Sequence, residues 1–317
     1  MSDLPFRRPV VLIGGLHQKH RDRVREFVHA LNAPVYAEAL SGLRQDANEL
    51  MITGGERMIG RGAFDGVVRI GGVPTLRFWR DLDESLRHLP LISFSDSPFA
   101  GLSRGDLKSI DDLPAVRARE RDQAFFDEDR RMASEISRIL DDEPQSELAM
   151  LRDVSRGLKE RARVYLGNSL PIREWDLVAS RAQAFECEGN RGANGIDGQL
   201  STFFGWCAPG RENVAILGDL TTTYDLNAPW IAHQLSDDIG FTVVIINNGG
   251  GRIFSRVPSL RSVDRRLMEN EHALSFEHWA AMWGLAYNRD AFRSVMELRP
   301  DQTASDRAWK RYDELWS

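Results

Sequence analysis

Val214-Ala215-Ile216-Leu217-Gly218-Asp219-Leu220 and Phe241-Thr242-Val243-Val244-Ile245-Ile246-Asn247-Asn248 are the two stretches that decide the fold. Each opens on a short, continuous apolar run, the pattern of a strand buried on both faces of a parallel sheet. Each run ends in polar residues, so Asp219 and the Asn247-Asn248 pair are expected at strand carboxyl ends, the edge where open parallel sheets bind ligands. The second run continues as Gly249-Gly250-Gly251, where missing side chains let backbone amides and carbonyls approach a ligand. A carboxylate, an amide oxygen and backbone carbonyls are hard oxygen donors, which suit a magnesium ion carrying a diphosphate. The competing reading of Asp219 is a helix N-cap after a strand.

A length of 317 residues allows about two domains. Apolar content of 42% with 28% charged residues is that of a soluble globular protein, and no run of about 18 apolar residues exists to insert into a membrane. The opening MSDLPFRRPVVLIGG lacks the basic, apolar and small-residue segments of a secretory signal, which predicts a cytoplasmic location. Cys187 and Cys207 are too few for a disulfide framework or a paired-cysteine metal site. A net charge of -6 argues against broad nucleic-acid binding and leaves room for local basic pockets that take anionic substrates.

The first hundred residues alternate strand-like and helix-like signals. Strands are expected at Val10-Val11-Leu12-Ile13 and at 34–38, 50–53, 66–70 and 89–94, with a polar helix over 21–31. Glycines at 14, 15, 54, 55, 60 and 62 do not form a dinucleotide fingerprint and read as turns. Residues 106–146 are dense in both charges and read as a partly helical linker. Leu148, Leu151, Val154 and Leu158 then mark an amphipathic helix. The expected fold is α/β: a doubly wound, Rossmann-like parallel-sheet domain over 1–105, the linker, and a second such domain over 147–317. That second domain has strands near 184–187, 214–217 and 241–246.

Four strings in the second domain carry a resemblance: GNSLPIR (167–173), EGNRGANGIDGQLSTFFG (188–205), GDLTTTYDLNAPW (218–230) and NNGGGRIFSR (247–256). In this order they resemble the thiamine-diphosphate-binding half of the 2-succinyl-5-enolpyruvyl-6-hydroxy-3-cyclohexene-1-carboxylate synthase family, the MenD type, of menaquinone biosynthesis. EALSGLR (38–44) and VVRIGGVPTLRFW (67–79) are similar, more weakly, to that family's transhydrogenase-like central domain. The resemblance implies a transferase that uses thiamine diphosphate and Mg2+, or Mn2+, to decarboxylate 2-oxoglutarate and add the remaining unit to isochorismate, releasing carbon dioxide.

By the same resemblance Asp219, Asn248 and the Gly250 carbonyl would hold the metal. Ser169, Asn190, Gly192, Gly195 and Ile196 would lie along the cofactor, as would Leu220, Thr221 and Ile253. Substrate contacts would come from Ser169, Arg173, Arg191, Ile253, Phe254 and Arg77. Arginine suits that task because its planar guanidinium forks onto carboxylates. Bland readings stand beside these: Arg173 paired with Glu174 on the surface, Arg191 as an ordinary loop residue, Ile253 and Phe254 as core filling. Arg77 stands where the family often has lysine and could instead be a salt-bridged surface residue; Ser41 and Arg44 are softer candidates of the same kind. His272 and His278 are spaced off any single helical face and read as structural or solvent-facing.

Full members of the family begin with a pyrimidine-binding domain that carries the glutamate facing the cofactor's ring, and this sequence begins where their central domain begins. The catalytic acid/base is therefore unknown, and the resemblance implies a separate pyrimidine-domain polypeptide in a homo- or hetero-oligomer. A noncatalytic cofactor-binding remnant and a fragment of a longer synthase are the alternatives. Acetolactate synthases and 2-oxo acid decarboxylases share only the GD...NN core.

Overall fold

Parallel pairing organises the chain throughout the computed structural model, which describes residues 4–46, 49–98, 101–192, 195–257, 260 and 263–317. The chain divides into two units, Met1–Ile139 with Tyr312–Ser317, and Leu140–Arg311.

The first unit holds strands β1 (Pro9–Ile13), β2 (Val35–Ala37), β3 (Gly66–Ile70), β4 (Leu91–Phe94) and β5 (Asp106–Lys108) in the order β2-β1-β3-β4-β5. Every pairing is parallel. Between β1 and β2 runs helix α1 (Arg21–Leu31), whose Val24, Phe27, Val28 and Leu31 form the buried stripe that its spacing dictates. The short α2 (Phe78–Asp81) follows β3.

Two segments differ from the sequence reading. Residues 50–53 form a single bridge, Met51 to Val35, and not a strand. The backbone there turns to a side chain: Asp129, 1% exposed, accepts the N–H groups of Thr53 and Gly54, each at 2.8 Å. Residues 106–146, read as a charged, partly helical linker between domains ending at 105 and starting at 147, contain a strand that reading did not include, β5, and the 20-residue helix α3 (Gln123–Asp142). The strand is hard to read because all three of its residues are exposed on the sheet edge. The helix buries Phe126, Met132, Ile136 and Ile139 on one stripe beneath its charged surface.

In the second unit, α4 (Glu147–Gly157) precedes β6 (Arg163–Leu166), α5 (Leu170–Val178), β7 (Glu186–Glu188) and α6 (Gln199–Trp206). Then come β8 (Asn213–Gly218), α7 (Asp219–Tyr224), β9 (Phe241–Ile246), α8 (Arg265–Met268) and α9 (Glu277–Met282). β10 (Ala286–Tyr287), β11 (Arg293–Leu298) and α10 (Gln302–Glu314) complete it. The sheet order is β10-β11-β9-β8-β6-β7, again all parallel. After β6 the chain leaves to β7 on one side and returns to β8 on the other, which opens a crevice at the carboxyl ends of β6 and β8. Leu166 pairs with Ile216 and Gly218 with Ile246, so Asn168, Asp219 and Asn247 all emerge at that edge. Leu200, Phe203 and Phe204 of α6 pack with Phe241, Val243 and Ile245 in the core beneath it. Among the described residues, no helix is long and apolar enough to cross a membrane.

Candidate cofactor and metal site

Asp219 anchors the site. Its carboxylate is 2% exposed, with Oδ1 accepting the Leu220 N–H at 2.6 Å and Oδ2 accepting both the Gly249 and Gly250 N–H groups at 2.9 Å. The side chain proposed to hold a metal therefore already grips the glycine loop. Gly250 has φ 137°, and a Cβ there would lie 2.4 Å from the Glu269 carbonyl oxygen, so only glycine fits. Glu269 braces the loop from behind: its carbonyl accepts from Gly251 N, and its carboxylate from Arg252 Nη1 at 2.6 Å and Ser255 Oγ at 2.5 Å. Burial pushes the Asp219 carboxyl up from the ordinary carboxylate range, opposed by His272 and the amides of Leu220, Gly250 and Gly249.

His272 is the residue the sequence reading missed. Its Nε2 lies 3.3 Å from Asp219 Oδ2, within ion-pair distance but short of hydrogen-bond geometry. The Leu274 N–H donates to its Nδ1 at 3.2 Å, so in the neutral ring Nε2 carries the proton and faces the carboxylate. His278 was its only apparent companion in the sequence, and that comparison pointed away from Asp219.

The two asparagines after β9 divide their tasks. Asn247 is a structural pin, donating to Glu297 Oε1 at 2.6 Å and to the Leu274 carbonyl at 2.8 Å. Asn248 donates its Nδ2 to both oxygens of Glu147 at 3.0 Å, while its Oδ1 is buried with no hydrogen-bond partner. Burying an acceptor unsatisfied costs about 1–3 kcal/mol. That oxygen, the Asp219 carboxylate and the Gly250 carbonyl are hard donors of the kind taken by a small divalent cation that carries phosphate and water on its remaining sides. Behind Glu147 lies Glu174, fully enclosed on α5. Burial first, and then the Glu147 charge, pushes Glu174 well above the usual carboxylate range; burial raises Glu147 too, against the hydrogen bond from Asn248.

The end of β6 forms the other wall. Ser169, the N-cap of α5, has φ 76° and ψ -130°, a region that costs a non-glycine residue roughly 1–3 kcal/mol and that clusters at functional sites. Its carbonyl accepts from Arg173 Nη1 at 2.5 Å, which folds that exposed guanidinium back over the start of the helix. Arg173 thus meets the backbone at the start of its own helix, while Glu174 is fully buried. Asn168 joins the neighbouring loop to the strand. Its N–H donates to Gln199 Oε1 at 2.8 Å, its Nδ2 to the Gly195 carbonyl at 2.8 Å, and its Oδ1 accepts from Arg191 Nη1 at 2.7 Å. Gln199 closes the ring by donating to the same Gly195 carbonyl at 2.9 Å. Asn190 reaches Thr202 Oγ1 at 3.2 Å, and Gly192 takes φ 104°.

Around these, Thr221 is 2% exposed while Leu220 and Ile196 are half-buried. Ile253 is half-buried and Phe254 is 39% exposed, so neither fills a core. Arg77 belongs to the first unit, where it is exposed and lies 3.5 Å from Asp81. Ser41 and Arg44 are enclosed in that unit, Ser41 with its hydroxyl donating to the Glu38 carbonyl at 2.5 Å.

No protein-family model matches the chain. The 2-succinyl-5-enolpyruvyl-6-hydroxy-3-cyclohexene-1-carboxylate synthase of Bdellovibrio bacteriovorus is 41% identical to it over 333 aligned residues, covering 98% of this chain. Over nearly its whole length the chain is similar to this synthase family. The synthase of Akkermansia muciniphila is 36% identical over 88% of the chain, and that of Yersinia enterocolitica 37% identical over 50% of it. The chain spans 62%, 54% and 28% of the length of these three synthases. A solved structure of a Mycobacterium smegmatis protein, assigned as a thiamin diphosphate-dependent enzyme, matches with a TM-score of 0.58 at 18% identity. It covers 93% of this chain and 62% of its own, and shares its α/β fold.

Proposed function

We propose that this chain is a member of that synthase family and supplies the thiamine-diphosphate and Mg2+ site of a transferase in menaquinone biosynthesis, in which 2-oxoglutarate loses carbon dioxide and its succinyl-semialdehyde unit is added to isochorismate. The observation that carries the reading is the buried, partnerless Asn248 Oδ1 on the loop gripped by Asp219. Asp219, Asn248 and Gly250 would hold the cation, which Mn2+ could replace, and with it the diphosphate. When bound, thiamine diphosphate supplies the carbon nucleophile and electron sink that this decarboxylation needs.

The chain's own residues position and shield. His272 places its ring within ion-pair distance of Asp219, and Glu269 holds the glycine loop from behind. Arg173 and Arg191 carry guanidinium groups suited to the carboxylates of both substrates, and Ser169 sits at the strained start of α5. Ile253 and Phe254 offer an apolar wall that excludes water from the reacting centre. Ligand contacts of Asn190, Gly192, Gly195, Ile196, Leu220 and Thr221, and of Arg77 from the first unit, belong to the same proposal. The acid/base glutamate would come from a pyrimidine domain, and the working enzyme would be a cytoplasmic oligomer.

The test is calorimetry followed by reconstitution. The chain should bind thiamine diphosphate only with Mg2+ or Mn2+ present, and should release carbon dioxide from 2-oxoglutarate once a pyrimidine-domain chain is added. Binding of the cofactor that ignores divalent metal would overturn the reading.

A further inference from the structure

A side-chain amide offers a metal its oxygen only if something decides which way it faces. Asn248 Nδ2 lies 3.0 Å from each oxygen of Glu147. A carboxylate accepts hydrogen bonds and does not donate them, so this contact fixes the nitrogen toward Glu147 and turns Oδ1 the other way, where it is buried and partnerless. Glu147 is itself firmly placed. It is 5% exposed in the first turn of α4, and its N–H donates to Ser305 Oγ at 3.0 Å. Ser305 Oγ donates in turn to the Asp301 carbonyl at 2.9 Å, and Ser146 Oγ caps the helix by accepting from Ala149 N at 3.2 Å. The helix N-terminus favours a negative side chain at that position.

We propose that Glu147 is a positioning residue for the metal site: it holds the Asn248 amide with its oxygen toward the cation. The inference rests on the metal-site reading above and deepens it, because Glu147 lies outside every string that carries the family resemblance. Without this acceptor the amide turns between two nearly isosteric orientations, one of which points N–H donors at the cation.

Free Mn2+ measured by electron paramagnetic resonance, in the presence of thiamine diphosphate and well below the unfolding temperature, tests it. Glu147→Ala should bind Mn2+ about 10–100-fold more weakly, the usual cost of losing a group that orients a ligand. Glu147→Gln, whose side-chain oxygen still accepts from Nδ2, should bind close to wild type. A merely structural role would lower the melting temperature of the variants and leave Mn2+ affinity alone. Should the alanine chain fail to fold, the near-isosteric Glu147→Met, which keeps the bulk and loses the acceptor, carries the same expectation. Wild-type affinity in the alanine or methionine variant, or a glutamine variant as weak as these, overturns the inference. A wild-type chain that binds no Mn2+ with the cofactor overturns instead the metal-site reading beneath it.

Discussion

Each unit ends its sheet with the same device, and only one of the two reads as a ligand site. In the first, Glu38 is 2% exposed just after β2 and accepts two successive amides, Thr75 N at 2.5 Å and Leu76 N at 3.0 Å. In the second, Asp219 accepts Gly249 N and Gly250 N. The difference lies in what stands beside the carboxylate. Near Glu38 the chain carries its own cation: Arg69, 0% exposed, donates to the Gly72 carbonyl at 2.7 Å. Burial lowers that guanidinium to about 10, against the pull of Glu38, so it stays positive at neutral pH. Asp219 has a histidine ring and, on the adjoining loop, the unsatisfied oxygen of Asn248. A buried carboxylate on a glycine-rich edge is therefore no metal site by itself, and the resident charge decides.

Removing that charge should have the largest effect. Arg69→Met removes a buried charge that attracts Glu38 and holds the Gly72 carbonyl, and leaving buried partners of a charged group unsatisfied costs about 3 kcal/mol or more. Thermal unfolding should show the loss, while Mn2+ and thiamine diphosphate affinity, measured below the transition, stays at the wild-type value. A fall in both would break the contrast between the two edges. Asp219→Ala should weaken metal-dependent cofactor binding about 100-fold or more, roughly 3 kcal/mol, with the far-ultraviolet spectrum unchanged. Unchanged affinity by calorimetry would remove the second edge from consideration.

Smaller effects sharpen the picture. Glu174 binds its proton more tightly in the native state than in the unfolded chain. Between the ordinary glutamate value of about 4.3 and its raised one, the native state holds more protons, so stability falls as pH rises through that window. Glu174→Gln should flatten this fall and raise the melting temperature at neutral pH by about 2–4 °C per kcal/mol recovered. A pH–stability curve identical to wild type would count against the buried pair. Ser169→Gly should relieve the strain at φ 76° and stabilise the chain by about 1 kcal/mol. A variant no more stable than wild type would place the strain elsewhere.

Much of this is legible in the sequence. β8 and β9 announce themselves because both faces are buried, which leaves unbroken apolar runs, and their polar ends place Asp219 and Asn248 on one edge. β6 and β11 are less visible: one is short and opens on Arg163, and the other interleaves Arg293, Ser294 and Glu297 with its apolar residues. The site's supporting residues were not readable at all. Glu147 is 101 positions from the asparagine it holds, and His272 meets Asp219 only through tertiary packing. Local pattern carries no trace of such contacts.

The pin between Asn247 and Glu297 spans 50 positions and ties the glycine loop to the last strand of its sheet. A nascent polypeptide still short of β11 has Asp219 and Glu269 to grip that loop, yet lacks the Glu297 carboxylate that anchors its first asparagine. The full set of anchors for this loop thus arrives late in synthesis, and trimming the chain ahead of Glu297 removes the last of them.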